Sequence, residues 1–252
     1  MTGIRGERTE ADREQCFHSQ LDRESGAGFT IAIMKSLVLL TLPVLSAVLA
    51  LSTGRLPFKL GVPSLCALIL ITLFRRCPLA RCRDVWAVVG AFGMSVVGDY
   101  FLSSKNGHSH YFEAGIAAFF VAHLGYLRYS LLNGGLHRLT LIILLVGFVP
   151  YFGLALSPVI DGRVLWVASL LYLLISCIGL AAAVGLKQSS LVKVFYVVGI
   201  GLLVFSDTVI SFDEFLRYRG LNRWILPTYY LSQIAVTSSI LLRRDLRPLR
   251  RI

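Results

Sequence analysis

Residues 139–156 read LTLIILLVGFVPYFGLAL, a stretch without a charged side chain. A helix needs about 20 such residues to cross the hydrocarbon core of a bilayer. A second apolar stretch, residues 163–185, follows after a short link and reads RVLWVASLLYLLISCIGLAAAVG. The two runs predict a pair of membrane-spanning helices, the first of them kinked at Pro150, whose ring removes a helix hydrogen bond.

The same pattern extends over most of the chain. Of its 252 residues, 56% are apolar and only 15% are charged, whereas a soluble domain carries about 25% charged residues. In lipid each apolar segment must be a helix, because no water is present to satisfy open backbone groups. We therefore predict an all-α, polytopic membrane bundle of about eight helices. The segments are 30–51, 60–75, 84–103, 110–131, 137–157, 163–185, 191–214 and 223–242.

The polar ends of the chain divide it into three parts. Residues 1–28 are polar and mixed in charge, which is typical of a disordered cytosolic tail. Residues 29–243 form the membrane domain, and residues 244–252 are a basic cytosolic tail. The net charge of +11 is spread between the apolar runs. This distribution favours contact with anionic lipid headgroups over nucleic-acid binding.

The basic residues between the segments predict the orientation. If the N-terminus is cytosolic, the cytosolic segments hold 17 Lys and Arg residues and the opposite loops hold seven, among them Lys59. The excess of positive charge on the cytosolic side puts both termini in the cytosol, which also requires an even number of spans. The endoplasmic reticulum is the expected location for a lipid enzyme without a visible address signal. The oligomeric state is left open.

The five cysteines are Cys16, Cys66, Cys77, Cys82 and Cys177. An odd number without a repeated spacing does not form a disulfide framework. Cys77 and Cys82 share a basic loop, but no second pair exists to complete a zinc site. We expect free thiols.

Two acidic residues lie well inside predicted helices. Asp99 is 15 residues from the start of the third segment, and Asp207 is 16 residues from the start of the seventh. The two segments run in the same direction, so at about 1.5 Å per residue their carboxyls lie at one depth. An acid near mid-bilayer costs about 2.5–3.5 kcal/mol on insertion scales. We expect the two acids to meet at a functional site; the alternative is that each belongs to a polar contact between helices.

Other polar residues of the segments are candidates for the same site. His123 and Tyr126 are three residues apart and share a face of the fourth helix. Gln233 follows Tyr229 and Tyr230 by one turn in the last helix.

A weak repeat relates the two halves of the chain. Gly98 precedes the first acid and Ser206 the second, and His123 and Gln233 follow 24 and 26 residues after their respective acids. This favours two four-helix halves related by an axis along the membrane normal.

The order and spacing of these residues resemble the lysoplasmalogenase (YhhN-like) family of membrane proteins over residues 33–242. The matching residues are Lys35, Gly98-Asp99-Tyr100-Phe101-Leu102, Ala118-Phe119-Phe120-Val121-Ala122-His123-Leu124-Gly125-Tyr126, Ser206-Asp207, and Tyr229-Tyr230 with Gln233. The resemblance implies hydrolysis of the vinyl-ether bond of lysoplasmalogens. The products would be a fatty aldehyde and glycerophosphoethanolamine or glycerophosphocholine.

The residues suit this reaction. Protonation of the alkene carbon of a vinyl ether gives an oxocarbenium ion, and water then adds to it. Two close carboxyls cannot both ionise easily, so Asp99 and Asp207 can supply one proton donor and one negative charge. His123 would position an acid or relay a proton. No cofactor or metal is required.

The remaining candidates would bind the lysophospholipid or the water. Tyr230 and Gln233 would hold the water or the glycerol oxygens, with Tyr126, Tyr229 and Ser206 beside them. Lys35 would pair with the phosphate, although its position near the cytosolic end of the first helix conflicts with the depth of Asp99.

Two other functions stay open: a proton-coupled or lipid transporter, because intramembrane Asp and His residues also mark ion pathways, and a non-catalytic lipid-binding protein.

Overall fold

The computed structural model describes residues 34, 38–78, 82–104 and 109–246. Within these residues the chain is an all-α bundle of eight helices, which confirms the predicted fold class. The helices are α1 (Val38–Thr53), α2 (Leu56–Phe74), α3 (Arg83–Ser103), α4 (Ser109–Leu132), α5 (Arg138–Tyr151), α6 (Arg163–Val184), α7 (Ser190–Glu214) and α8 (Ile225–Leu246).

Seven of the helices, α2 to α8, are long and apolar enough to cross a membrane. Only 11% of the residues in the apolar stretch that contains α5 are buried inside the bundle. The corresponding share for the segment that contains α8 is 72%. Apolar side chains on the outside and a more polar helix in the centre are the arrangement that a lipid environment requires. The chain is an integral, multi-pass membrane protein.

Short links between successive helices define two sides of the bundle. The near side is the one on which α8 ends, and it holds the α2–α3, α4–α5 and α6–α7 links. Gly134 and Leu186 form an antiparallel bridge there, which joins the α4–α5 link to the α6–α7 link. The far side holds the other links, including the tight α1–α2 turn, where Gly54 has a φ of +66°.

The most extensive helix contacts are those of α3 with α4 and of α7 with α8. These are corresponding pairs in the two halves that the sequence repeat suggests. An axis relating the halves stays a prediction. Tyrosines join the pairs at the centre: Tyr129 of α4 stacks on Tyr196 of α7, with ring centroids 4.8 Å apart. The Tyr196 hydroxyl donates to the carbonyl oxygen of Tyr126 at 2.8 Å.

A buried ion cluster ties three helices together on the near side. Arg243 of α8 donates to Oδ2 of Asp84, at the start of α3. Asn133, just after α4, donates to the same oxygen at 3.0 Å. The Arg243 guanidinium also lies 5.5 Å from the centre of the Tyr129 ring. Asp84 and Arg243 are each only 8% exposed, so their charges are compensated within the bundle.

One predicted element boundary and the assignment of one basic residue need correction. The second segment begins at Leu56 rather than residue 60, because Pro57 lies in the first turn, where no intrahelical N–H partner is needed. Lys59 is therefore part of α2 and not a loop residue. Arg243 was counted among the exposed cytosolic charges, but it is buried in the ion cluster.

The predicted kink at Pro150 corresponds to a change of helix type. α5 ends at Tyr151 and continues as a single π-helical turn, Phe152–Leu156. Since proline cannot donate the usual backbone hydrogen bond, a wider turn next to it has a physical cause.

The prediction of free thiols is wrong for one pair. Cys77 and Cys82 form a disulfide, because the link between α2 and α3 brings their Cα atoms to 6.2 Å. Cys66 and Cys177 are free and buried. The predicted tails, 1–28 and most of 244–252, lie outside the described residues, as do Cys16 and Lys35.

Candidate active site

Asp99 and Asp207 line one cavity. The cavity has a volume of about 210 Å³ and lies between α2, α3, α4, α7 and α8, toward the far side. Asp99 is near the end of α3 and Asp207 is in the last third of α7, so both helices present their acids at a similar depth. Lys59, Asp213 and Glu214 also line it. We call this space, which contains both acids, the polar cavity.

Asp99 has a neutral hydrogen-bond partner and a nearby cation. The Tyr229 hydroxyl of α8 donates to Asp99 Oδ2 at 2.9 Å. The ammonium of Lys59, on α2, interacts with Asp99 electrostatically. Lys59 lines the cavity at the depth of the acids, whereas Lys35 lies outside the described residues.

The packing of Phe119 explains why the residue before Asp99 is a glycine, Gly98. A Cβ at this position would lie 2.6 Å from the ring of Phe119, so only glycine lets that ring pack against α3. The Phe119 ring meets the Tyr229 ring edge-on, with centroids 5.8 Å apart. Phe119 thus packs against the tyrosine that holds Asp99.

Asp207 lies against an imidazole instead. Oδ2 of Asp207 is 3.3 Å from Nε2 of His123, on α4. The other ring nitrogen of His123, Nδ1, is 3.0 Å from the carbonyl oxygen of Phe119. A carbonyl oxygen can only accept, so we assign the Nδ1 proton to this hydrogen bond. Nε2 and the nearest Asp207 oxygen are close enough for an ion-pair contact, but within the described residues neither atom has a hydrogen-bond partner.

Tyr172 of α6 packs against the imidazole, and its hydroxyl also interacts with the Asp207 carboxyl. Its ring centroid is 4.9 Å from that of His123, and its hydroxyl oxygen is 3.4 Å from Nδ1. Sequence reasoning missed both Tyr172 and Lys59. Tyr172 is the single tyrosine of α6, and the sequence places Lys59 in a loop.

Three predicted binding residues lie beside the polar cavity without lining it. The Tyr126 hydroxyl donates to Gln233 Oε1 at 3.0 Å, which ties α4 to α8. Among the residues described, the Tyr230 hydroxyl and the Gln233 amide nitrogen are buried without a hydrogen-bond partner. Ser206 does line the cavity, but its hydroxyl donates to the carbonyl oxygen of Ile225 at 3.0 Å.

A second space adjoins the first at Asp207. It has a volume of about 100 Å³ and is lined by α4, α5, the π-helical turn, α6 and α7. Its walls are mostly carbon, with Phe112, Phe148 and Leu173 among them. We call this space the apolar chamber. Asp207 and Ile210 line both spaces, so Asp207 lies at the boundary between a polar and an apolar compartment.

The family model described as "YhhN family" matches residues 58–240 of the chain. The chain belongs to the YhhN family. The match extends from α2 to α8 and includes every residue of the site described above. The YhhN family includes lysoplasmalogenases, in agreement with the resemblance seen in the sequence. Lys35 precedes the matched region. No match was found among curated proteins or among solved structures.

Proposed function

We propose that this YhhN protein hydrolyses the vinyl-ether bond of a lysoplasmalogen, using Asp99 and Asp207. One observation carries the proposal: both acids line one cavity, and one of them also borders an apolar chamber. The vinyl ether of a lysoplasmalogen lies at the junction of its hydrocarbon chain and its polar glycerophospho group. A substrate with that junction at Asp207 would have each part in a compartment of matching polarity.

The reaction needs one proton donor, one water and a stabilised cation. A proton is added to the alkene carbon that does not carry oxygen, and the electron pair of the double bond forms the new C–H bond. Water adds to the resulting oxocarbenium ion and loses a proton, which gives a hemiacetal. The hemiacetal then breaks its bond to the glycerol oxygen, which takes up a proton. The products are a fatty aldehyde and the glycerophospho-alcohol.

Asp207 is the proposed general acid. Its carboxyl lies 3.3 Å from Nε2 of His123. A small rotation of either side chain would let the two groups hold one proton between them, because Nδ1 is committed to the Phe119 carbonyl. After the proton has moved to carbon, the pair is left one proton short and can take one from the attacking water. His123 is a positioning residue that also keeps this proton close to Asp207.

Asp99 is the proposed stabiliser of the cation. An ionised carboxylate can only accept hydrogen bonds, and the Tyr229 hydroxyl supplies one at 2.9 Å. Negative charge beside an oxocarbenium ion is the device that glycosidases use for a related intermediate. Lys59, in the same cavity, carries the charge that suits a phosphate group.

Deuterium labelling tests the reaction directly. We expect aldehyde release from a lysoplasmalogen in D2O to give product with one deuterium on the carbon next to the aldehyde group. Asp207→Asn should lower the turnover by about 10²–10⁴-fold, the usual contribution of a general acid. Asp99→Asn should lower it as well. Asp161→Asn, an exposed acid in the α5–α6 link, is the matched control and should keep wild-type turnover.

Full activity of folded Asp99→Asn and Asp207→Asn proteins would contradict the mechanism. Absence of turnover by the wild-type protein would contradict the function. In that case, substrate flux in proteoliposomes would support the transporter alternative, and tight co-purification of unchanged lipid would support a non-catalytic role.

We also propose that the near side faces the cytosol, where the Cys77–Cys82 pair in the α2–α3 link would be reduced to thiols. The correction of Lys59 and Arg243 removes one basic residue from the count on each side, so the excess on the near side keeps its sign. An N-glycosylation acceptor inserted with a spacer should be modified in the α5–α6 link and not in the α6–α7 link. The reverse pattern would overturn the orientation. Co-localisation with organelle markers tests the proposed site in the endoplasmic reticulum.

A further inference from the structure

One face of α6 lines the apolar chamber, and three of its lining side chains, Ser169, Ser176 and Cys177, are small. Ser169, Tyr172, Leu173, Ser176 and Cys177 recur at intervals of three and four residues and all line it. Leucine-sized side chains at positions 176 and 177 would fill space that is now open. The open volume of the chamber thus depends on the sizes of the side chains on this face of α6.

Most hydroxyl groups of the lining are bonded to backbone or to each other. Ser176 donates to the Tyr172 carbonyl oxygen at 2.9 Å, and Thr208 donates to the Val204 carbonyl oxygen at 2.7 Å. Ser211 donates to the Thr208 carbonyl oxygen at 2.7 Å. Ser169 differs, since its buried hydroxyl has no partner within the described ranges. A lining of this kind offers few polar atoms to a ligand.

Charge divides the two compartments. The polar cavity contains Lys59, Asp99, Asp213 and Glu214 in addition to Asp207. Asp207 is the one charged residue among those that line the apolar chamber in the described part of the chain. A ligand that occupies both spaces must therefore have one ionic end and one hydrocarbon end, joined at Asp207.

We propose that the apolar chamber binds the part of a lysolipid's hydrocarbon chain that lies next to its glycerol oxygen. This assignment rests on the proposed function, because it places the vinyl ether at Asp207. The glycerophospho group lies in the polar cavity, with its phosphate toward Lys59. A substrate that fits this site carries an apolar chain on its vinyl-ether carbon. Ser176 and Cys177 determine how much of that chain the chamber can hold.

Filling the chamber tests the assignment through substrate preference. We expect Ser176→Leu and Cys177→Leu to lower kcat/KM for a long-chain lysoplasmalogen by about ten-fold or more, the cost of a few misplaced methylenes in an apolar pocket. A water-soluble analogue with a two-carbon vinyl group needs little of the chamber and should lose much less. Val167→Leu is the matched control, because this α6 side chain is 48% exposed. An equal loss for both substrates, or no loss for either, would overturn the proposal.

Photo-crosslinking separates this proposal from the proposed function. A lysophosphatidylethanolamine with a diazirine on the chain carbons nearest the glycerol should label α6 peptides that contain Leu173 or Cys177. Ser176→Leu should reduce that labelling, and excess unlabelled lysolipid should compete with it. Labelling confined to the lipid-facing residues of α5, such as Ile142 and Val146, would overturn the chamber assignment. This readout holds even if the wild-type protein shows no turnover.

Discussion

Carboxyl groups lie inside both sides of the bundle, with different kinds of partner. Asp84, on the near side, is matched by the buried guanidinium of Arg243 and by the amide of Asn133. Asp99 and Asp207, toward the far side, have a phenol and an imidazole as their direct partners and face a cavity. The first acid is compensated by full charge pairing, and the other two keep room for a ligand.

The different partners indicate that Asp84 contributes to folding, whereas Asp99 and Asp207 are available for proton transfer. A buried ion pair that loses one member leaves an uncompensated charge, so removal of one member of the near-side cluster should destabilise the helix arrangement. An acid with neutral partners can gain or lose a proton without breaking such a pair. We therefore expect substitutions in the two regions to act on different observables.

The largest effect should come from Asp207→Asn. We expect turnover of a lysoplasmalogen to fall by about 10²–10⁴-fold, because the proposed proton donor is lost. The thermal unfolding midpoint in detergent should stay near that of the wild type. A large drop in the midpoint would show that Asp207 is a structural acid like Asp84, and the comparison would fail.

Asp84→Asn should have the reverse effect. It leaves the Arg243 guanidinium buried without its counter-charge, which should cost about 3–5 kcal/mol in the free energy of unfolding. The unfolding midpoint should fall, while turnover per folded molecule is kept. The double variant Asp84→Leu/Arg243→Met should recover much of the midpoint, since an apolar replacement of a buried pair is often tolerated. A double variant no more stable than the single one would contradict this role.

Gly98→Ala tests how the polar cavity is supported. The added methyl group meets the Phe119 ring, so the ring must shift, at a cost of about 1–3 kcal/mol for overpacking. Turnover should fall together with the midpoint, because Phe119 contacts Tyr229 and its carbonyl holds His123. Gly93→Ala is the matched control on α3, since its Cβ would meet open space. Equal effects of the two substitutions would contradict the packing argument.

The smallest effect should come from Tyr172→Phe. Its hydroxyl lies 3.4 Å from Nδ1 of His123 and also interacts with the Asp207 carboxyl, while the ring contact is retained in the variant. We expect turnover to fall by no more than about ten-fold, because a neutral hydrogen bond contributes about 0.5–1.5 kcal/mol. A loss comparable to that of Asp207→Asn would assign Tyr172 a direct role in proton transfer.

The sequence predicted the helices well, because apolar runs long enough to cross a bilayer leave the backbone no alternative to a helix. Matched depth also predicted that Asp99 and Asp207 share a region. The partners of the acids were harder to predict, since they depend on which helix faces are in contact. Tyr229 was named as a binding residue before its contact with Asp99 could be known.

The errors have physical causes of the same kind. The sequence places Lys59 in a loop if Pro57 precedes the second helix. In the structure Pro57 lies in the first turn of α2, so Lys59 belongs to the helix. The sequence places Arg243 among the charges on the cytosolic side, because hydropathy does not report a buried counter-ion. The Cys77–Cys82 disulfide depends on a turn whose shape the spacing alone does not determine.

The close contact between Gly98 and Phe119 has an evolutionary consequence. The two residues share a fixed amount of space between α3 and α4, so neither can become larger unless the other becomes smaller. Among YhhN chains, we expect a side chain at the position of Gly98 to occur together with a smaller residue at the position of Phe119. Paired changes of this kind would reveal the helix contact from sequences alone.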